Sequence, residues 1–326
     1  MKCSSLLFLS LFLFLLTSCE YKDLCYDHNH YGDVTVGFDW EKEPNTRVEG
    51  MTVLFYDLNT PAAEPLRYDF PGMNGGHARL QPGTYKAVAY NYDTETILYR
   101  GVESDNTLEA YTRQSSIEEG TQLSRSGMPR SANTEDEMVI LEPDPLYGAV
   151  SETFTVDIDG QCSVVMKPVS RVTELTITIT DVPNLQFSSQ FGGAISGLAP
   201  SVAMASGIPG DGHVTQAFPV SVVGDSTLVM HIRIFGHCPH ADSEAHWSHL
   251  LTVYAILADG SKWYYTIDIG SQMHHTGIEP SDHEEEIHIG VNGLPLPKPI
   301  VNGGGFQPTI DGWQGVVIDV SMGDDD

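Results

Sequence analysis

Metal ligation is the first chemistry that these side chains suggest, because the chain carries 13 histidines and several stand close together. His237, Cys238 and His240 flank Pro239, His246 and His249 follow, and His274-His275 comes later. Imidazole nitrogen, thiolate sulfur and the nearby carboxylate of Asp242 are donors that zinc or copper accepts. The spacing argues the other way. It matches no standard structural zinc pattern, Pro239 constrains the turn, and His246 and His249 share a face only on a helix that the local pattern does not support. No metal and no cofactor is therefore expected, His237, Cys238 and His240 being the candidate ligands weighed and set aside. The acidic, glycine-containing stretches likewise lack the spaced loop of a calcium hand. Enzyme signatures are missing as well: there is no glycine-rich phosphate loop, no Gly-x-Ser-x-Gly elbow and no His-Glu-x-x-His. Paired carboxylates for glycoside hydrolysis are defined by a separation of about 5 to 9 Å in space, which sequence leaves open. The expectation is a protein without catalysis.

The strongest chemical signal lies at the beginning. Lys2 supplies a positive flank, Leu6 to Leu16 form an apolar run broken only by Ser10, and Leu16-Thr17-Ser18-Cys19 closes it. The run is shorter than the roughly 20 residues a membrane-spanning helix needs. It has the charged, apolar and small-residue regions of a secretory signal. Its last four residues resemble a bacterial lipobox, in which the cysteine sulfur takes a diacylglycerol, the peptide is cut before it and the new amino group is acylated. Residues 1–18 are then a leader, Cys19 is the lipidated first residue, and residues 19–32 are a tether. Several acyl chains, each burying methylenes at about 0.8 kcal/mol apiece, exceed what stable anchoring requires. An outer-membrane, surface-facing location is expected. With Cys3 lost and Cys19 acylated, Cys25, Cys162 and Cys238 remain, an odd number that leaves at least one thiol over. Cys162 and Cys238 are the pair named for a bridge, although spacing alone does not settle it.

Charge narrows the partners. The chain has 16 basic and 44 acidic side chains, a formal net charge of −28. Such an excess repels nucleic acid and anionic lipid headgroups, so membrane contact is expected through the lipid alone.

The elements that carry these residues are strands. Asp33 to Trp40 alternates, with Val34, Val36, Phe38 and Trp40 on one face, as a half-buried strand requires. Further strands are expected at Met51–Tyr56, His77–Leu80, Thr84–Tyr92, 139–141, Tyr147–Ile158 and Cys162–Lys167, with Asp159-Gly160 as a hairpin turn between the last two. Leu108 to Met138 is polar, carries Arg113, Arg125 and Arg130, and is long for a structureless connection. A mobile or partner-contacting loop is expected there. Beyond Pro168, Arg171–Val182 sets Leu175, Ile177 and Ile179 on one apolar side. Gly192 to Gly212 is rich in turn dipeptides and reads as short strands and turns. Thr227–Phe235, Leu250–Leu257, Lys262–Ile269, Glu285–Val291 and Val316–Val320 complete the count, the middle two joined by Asp259-Gly260. The fold class is all-β: two tandem β-sandwiches, residues 33–168 and 169–326.

The stretch Cys19-Glu20-Tyr21-Lys22-Asp23-Leu24-Cys25-Tyr26-Asp27-His28, followed by Val34-Thr35-Val36-Gly37-Phe38-Asp39-Trp40, resembles a family of Bacteroidetes lipoproteins that is similar in turn to the fimbrillins, particularly their minor and anchor-type subunits. Val172–Thr180, Ile195-Ser196-Gly197-Leu198 and the closing Gly312-Trp313 with Val316–Val320 fit the same plan. The resemblance implies transthyretin-like or immunoglobulin-like β-sandwich domains and, for polymerising members, assembly with other fimbrial subunits by strand exchange. There a protease cutting after arginine removes the lipidated first strand and opens a groove for a neighbour's strand, satisfying unpaired backbone groups. Arg47 lies in the loop after the first strand, where such a cut would fall. Left uncut, the chain keeps its lipid and serves as anchor or terminal subunit. The alternative is a surface glycan-binding or nutrient-capture lipoprotein, with a host or glycan ligand stacked on Trp40, Trp247, Trp263 or Trp313, residues that core packing explains as readily.

Overall fold

The computed structural model describes residues 30–123, 127–237, 248–274, 286–299 and 312–318. The expected leader, Cys19 and the expected tether up to residue 29 lie outside them. The first half runs β1 (Gly32–Phe38), β2 (Gly50–Asp57), β3 (Leu66–Pro71), β4 (Gly76–Leu80), β5 (Gly83–Asn91), β6 (Ile97–Arg100), β7 (Glu109–Thr112), β8 (Met138–Ile140), β9 (Tyr147–Val150), β10 (Phe154–Val156), β11 (Gln161–Met166) and β12 (Val169–Ser170). The second runs β13 (Thr173–Thr180), β14 (Ser188–Leu198), β15 (Ser201–Ala203), β16 (Val214–Pro219), β17 (Ser221–Val223), β18 (Thr227–Ile234), β19 (Leu250–Leu257), β20 (Lys262–Asp268), β21 (Glu286–Asn292) and β22 (Trp313–Ile318). The all-β architecture expected from the alternation is what forms.

In the first sandwich a three-stranded sheet, β11-β1-β4, lies over the sheet β12-β9-β5-β2-β3, to which β10 adds beside β5. The alternation of β1 decides its faces. Val34 and Val36 are buried while Asp33 and Thr35 are exposed, so the two valines enter a core with Met51, Phe55 and Leu80. β1 runs parallel to β11, pairing Val36 with Val164, and antiparallel to β4, pairing Val34 with Ala78. It is therefore an interior strand.

The second sandwich repeats this plan. β13 sits between β21, parallel, and β18, antiparallel, in the sheet β17-β18-β13-β21. Leu175, Ile177 and Ile179 face inward toward Ile195, Phe218 and Val253 of the sheet β22-β20-β19-β14-β16-β8. The Asp259-Gly260 turn joins β19 to β20 as a hairpin, with Gly260 at φ +81°.

Three local expectations need correction. The Asp159-Gly160 turn does not close a hairpin, because β10 pairs with β5 whereas β11 pairs with β1; the turn passes the chain from one layer to the other. Tyr147–Ile158 is accordingly two strands, β9 and β10. In the glycine-rich stretch, residues 188–198 form one continuous strand, β14, inside its sheet. Its glycines make room instead of turning the chain: a Cβ on Gly193 would stand 2.3 Å from the Phe218 ring, and one on Gly192 would stand 2.6 Å from Thr121 Cβ. Gly193→Ala should consequently destabilise the fold by about 1–3 kcal/mol through overpacking, read as a lower urea midpoint at unchanged slope.

The polar segment Leu108–Met138 is also more ordered than its composition suggests, and its partner is this chain. Ser116 caps the short helix Ile117–Thr121, its hydroxyl accepting from Glu119 N. Ile117, Leu123 and Met128 then pack with Val139 on Ala194, Ala217, Tyr254 and Ile256. Those last four belong to the outer face of the second sandwich, so that sheet is apolar on both sides and needs a cover. The arginines serve the cover: Arg113 pairs with Glu119 at 2.6 Å, and Arg130 donates to Thr215 Oγ1 at 2.9 Å. Arg125 lies outside the described residues. Tyr254 Oη donates to Pro129 O at 2.7 Å. Strands also cross between the halves. β8 pairs with β16 and β15 with β7, and Arg171, buried where they meet, donates from Nε to Met204 O.

Candidate functional site

The assembly reading concerns β1 and the loop after it, whose bonds can be followed in order. Asp39 N donates to Met166 O, and the Asp39 carboxylate accepts from Glu41 N at 3.1 Å and lies 3.2 Å from Lys167 Nζ. Those two donors hold its carboxyl below the usual carboxylate range. Trp40 donates its indole N–H to Met73 O and meets Tyr147 edge-on at 5.9 Å. Glu43 Oε1 accepts from Ser170 N at 2.8 Å. Thr46 is buried, Val48 packs against the first core, and Glu49 N donates to Asp93. Arg47 is exposed between them, with Nη1 donating to Thr46 O. The arginine side chain is thus reachable, while its neighbours are held by the Thr46 N–Glu43 O bond, by Val48 packing and by the Glu49 N–Asp93 bond.

Sheet edges provide the other surface on which a second chain can dock, since an edge strand has backbone donors and acceptors free on one side. Large apolar side chains stand exposed at some of them: Val222 and Val223 on β17, Val165 on β11, and Val317 on β22 at 79%. Residues with glycan-stacking shape are otherwise engaged. Trp263 packs against the second core and Trp313 meets Tyr254 edge-on at 5.5 Å; Trp247 lies outside the described residues. Cys162 is half-buried on β11 and carries no bridge among the described residues, Cys238 lying outside them. Burial, with Asp157 nearby, raises its thiol pKa, which argues against a reactive thiolate.

Of the ligands weighed together with His237, Cys238 and His240 lie outside the described residues. His237 itself meets His249 and His274. His237 follows β18, His249 immediately precedes β19, and His274 ends the short helix Gly270–Met273 that follows β20. Burial, then the neighbouring imidazoles, pull His237 down to about 4 and His249 to about 3. Sequence spacing could not reveal this trio, because three separate chain segments supply it. The three were among the clustered histidines that the sequence singled out, but nothing in their spacing joined them to one another.

No helix among the described residues is long and apolar enough to cross a membrane. Comparison with known proteins gives the following. The model of a family described as "Domain of unknown function (DUF5119)" matches residues 18–219. Over 195 residues the chain is 29% identical to the "Putative fimbrium anchoring subunit Fim4B" of Bacteroides ovatus (strain ATCC 8483), the alignment covering 60% of this chain and 54% of that protein. The chain thus spans about half the length of the curated relative it matches. A crystal structure of a "putative adhesin" from Bacteroides ovatus ATCC 8483 shares the fold, with a TM-score of 0.57 at 23% identity over 87% of this chain and 99% of that one. The fimbrial anchor protein Mfa2 from Porphyromonas gingivalis gives a TM-score of 0.46 at 12% identity, covering 80% and 90% respectively, a likeness too loose to carry weight.

Proposed function

The chain belongs to the DUF5119 family, whose model covers residues 18–219, and from that premise we propose that it is the anchoring subunit of a fimbrium. In this reading it is a lipoprotein without catalysis, fixed in the outer membrane through acylated Cys19 and holding other fimbrial subunits at the cell surface through its sheet edges. The observation that carries it is the 29% identity to Fim4B over 195 residues.

Two features of the fold support the anchor role over that of a polymerising subunit. β1 is hydrogen-bonded on both sides and buries Val34 and Val36, side chains whose burial is worth about 1.5–3 kcal/mol each. A cut after Arg47 would also have to draw into a protease cleft a segment in which Thr46 N donates to Glu43 O, the Val48 side chain packs on the first core and Glu49 N donates to Asp93. A strand so held keeps the lipid attached to the fold.

The test is the mature N-terminus, determined by mass spectrometry on protein isolated from the outer membrane of its own host together with any fimbrial polymer that copurifies. Triacylated Cys19 on protein that copurifies with the polymer is the expected result. A chain beginning at Val48 would instead make this a polymerising subunit, and stable turnover of a defined substrate would contradict the absence of catalysis. Arg47→Ala should leave the apparent mass on immunoblots and the number of fimbriae per cell unchanged. A larger mature protein in that variant would identify Arg47 as the processing site.

A further inference from the structure

Three imidazoles from three separate segments converge at one end of the second sandwich. One ligand nitrogen from each of His237, His249 and His274 can be chosen so that all three lie within 4.8 Å of one another. Their ring centroids are 5.6 Å apart for His237 and His249, 5.2 Å for His237 and His274, and 4.9 Å for His249 and His274. The first two pairs meet at 88° and 73°, so the rings present edges to one another instead of stacking. We propose that His237, His249 and His274 form a binding site for a divalent cation of the zinc class, with the fourth position taken by water.

The backbone brings the ligands into place by ordinary pairing. His249 is fully buried at the mouth of the β19-β20 hairpin, where its carbonyl accepts from Ile269 N at 2.9 Å. Gly197, at φ +77°, lies against its ring: a Cβ there would stand 3.2 Å from His249 Nδ1. Gly236, just before His237, is held by its carbonyl, which accepts from Ala199 N. His274 N donates to Gly270 O at the end of the short helix. His237 Nδ1 is buried with no hydrogen-bond partner among the described residues, which is costly for a polar atom unless something is bound there.

The donor set selects the metal. Three neutral imidazoles, with no thiolate or carboxylate joining them among the described residues, suit zinc, and also copper(II) and nickel(II). With zinc–nitrogen bonds of about 2.0–2.1 Å, tetrahedral ligand nitrogens stand about 3.4 Å apart. Small side-chain rotations close the gap from the observed spacing. Burial favours the neutral imidazole, which is the form that ligates. His237 and His274 are only partly buried, in keeping with a water as the fourth ligand.

The test uses the full-length protein in detergent, stripped with EDTA and titrated with zinc chloride by calorimetry near neutral pH. One zinc per chain is expected, with a dissociation constant at or below about 1 µM. Saturating zinc should raise the melting temperature by about 5 °C or more. His237→Gln and His274→Gln, at partly buried positions and checked for folding by circular dichroism, should each weaken binding by at least about 100-fold, beyond the usual range for outer-shell changes. His77→Gln, an exposed histidine on β4, should leave it unchanged. Absence of binding at about 1 mM zinc, or undiminished binding in whichever of the two glutamine variants folds, would overturn the site.

Discussion

Cys19→Ala should deplete this protein from the outer-membrane fraction of its host and release assembled fimbriae into the medium. The thioether and the new amino group at Cys19 are where all the acyl chains would be attached. Without that sulfur the lipid is lost: the chain is strongly acidic, which repels anionic headgroups, and no helix among the described residues is long and apolar enough to cross a membrane. Each buried methylene contributes about 0.8 kcal/mol, so losing several chains shifts the partition by many powers of ten. The fold should be unaffected, because the first core begins at β1, well past residue 19. Fractionation with immunoblotting reads the shift, and circular dichroism of the released protein reads the fold. Fimbriae that stay attached to cells carrying the variant would show that another subunit does the anchoring.

Val36→Asp should be the most damaging single change in the first sandwich, costing about 4 kcal/mol or more and leaving little folded protein at 37 °C. Val36 is 2% exposed and faces the core, between its register partners Gly76 and Val164 on either side. A carboxylate placed there has no cation to meet. It must either take up a proton or drive β1 out of the sheet, and both outcomes destabilise. Thr35→Asp, one residue earlier, points to solvent and should lie within about 0.5 kcal/mol of the parent. The contrast is measured by urea unfolding. Limited trypsin digestion adds a second readout: undocking β1 frees the backbone around Arg47, so the Val36→Asp protein should be cut there quickly while the parent resists. Equal trypsin rates in the two proteins would mean that β1 does not restrain the loop.

These two expectations draw on different kinds of information. The expected location of the protein was read from a short stretch of residues, because leader recognition and acylation depend on local chemistry that no fold needs to assemble. Strand positions were legible for a similar reason. Side chains of an extended backbone alternate between two faces, so Val34 and Val36, or Leu175, Ile177 and Ile179, announce their burial wherever the strand is placed. Even so, Gly192 and Gly193 were misread, since a glycine that turns the chain and a glycine that admits a neighbouring Phe218 ring look the same in one dimension.

Pairing was not legible. Period-two alternation says which face is buried but not which strand lies beside it, so neither the interior position of β1 nor the separate destinations of β10 and β11 followed from their residues. The polar segment 108–138 looked disordered because its few apolar side chains are sparse in sequence. Only the sheet beneath shows that Ile117, Leu123 and Met128 cover a second apolar face. The histidine trio is the plainest case, because its members stand 12 and 25 residues apart along the chain and meet where β18 and β20 end and β19 begins. Sequence by itself determined the class of fold, the acidic surface and the candidate lipid attachment at Cys19. Tertiary structure alone decided which strand is enclosed, which loop is a cover and which imidazoles share a site, because contacts between distant segments are fixed by packing and strand pairing, not by local chain chemistry.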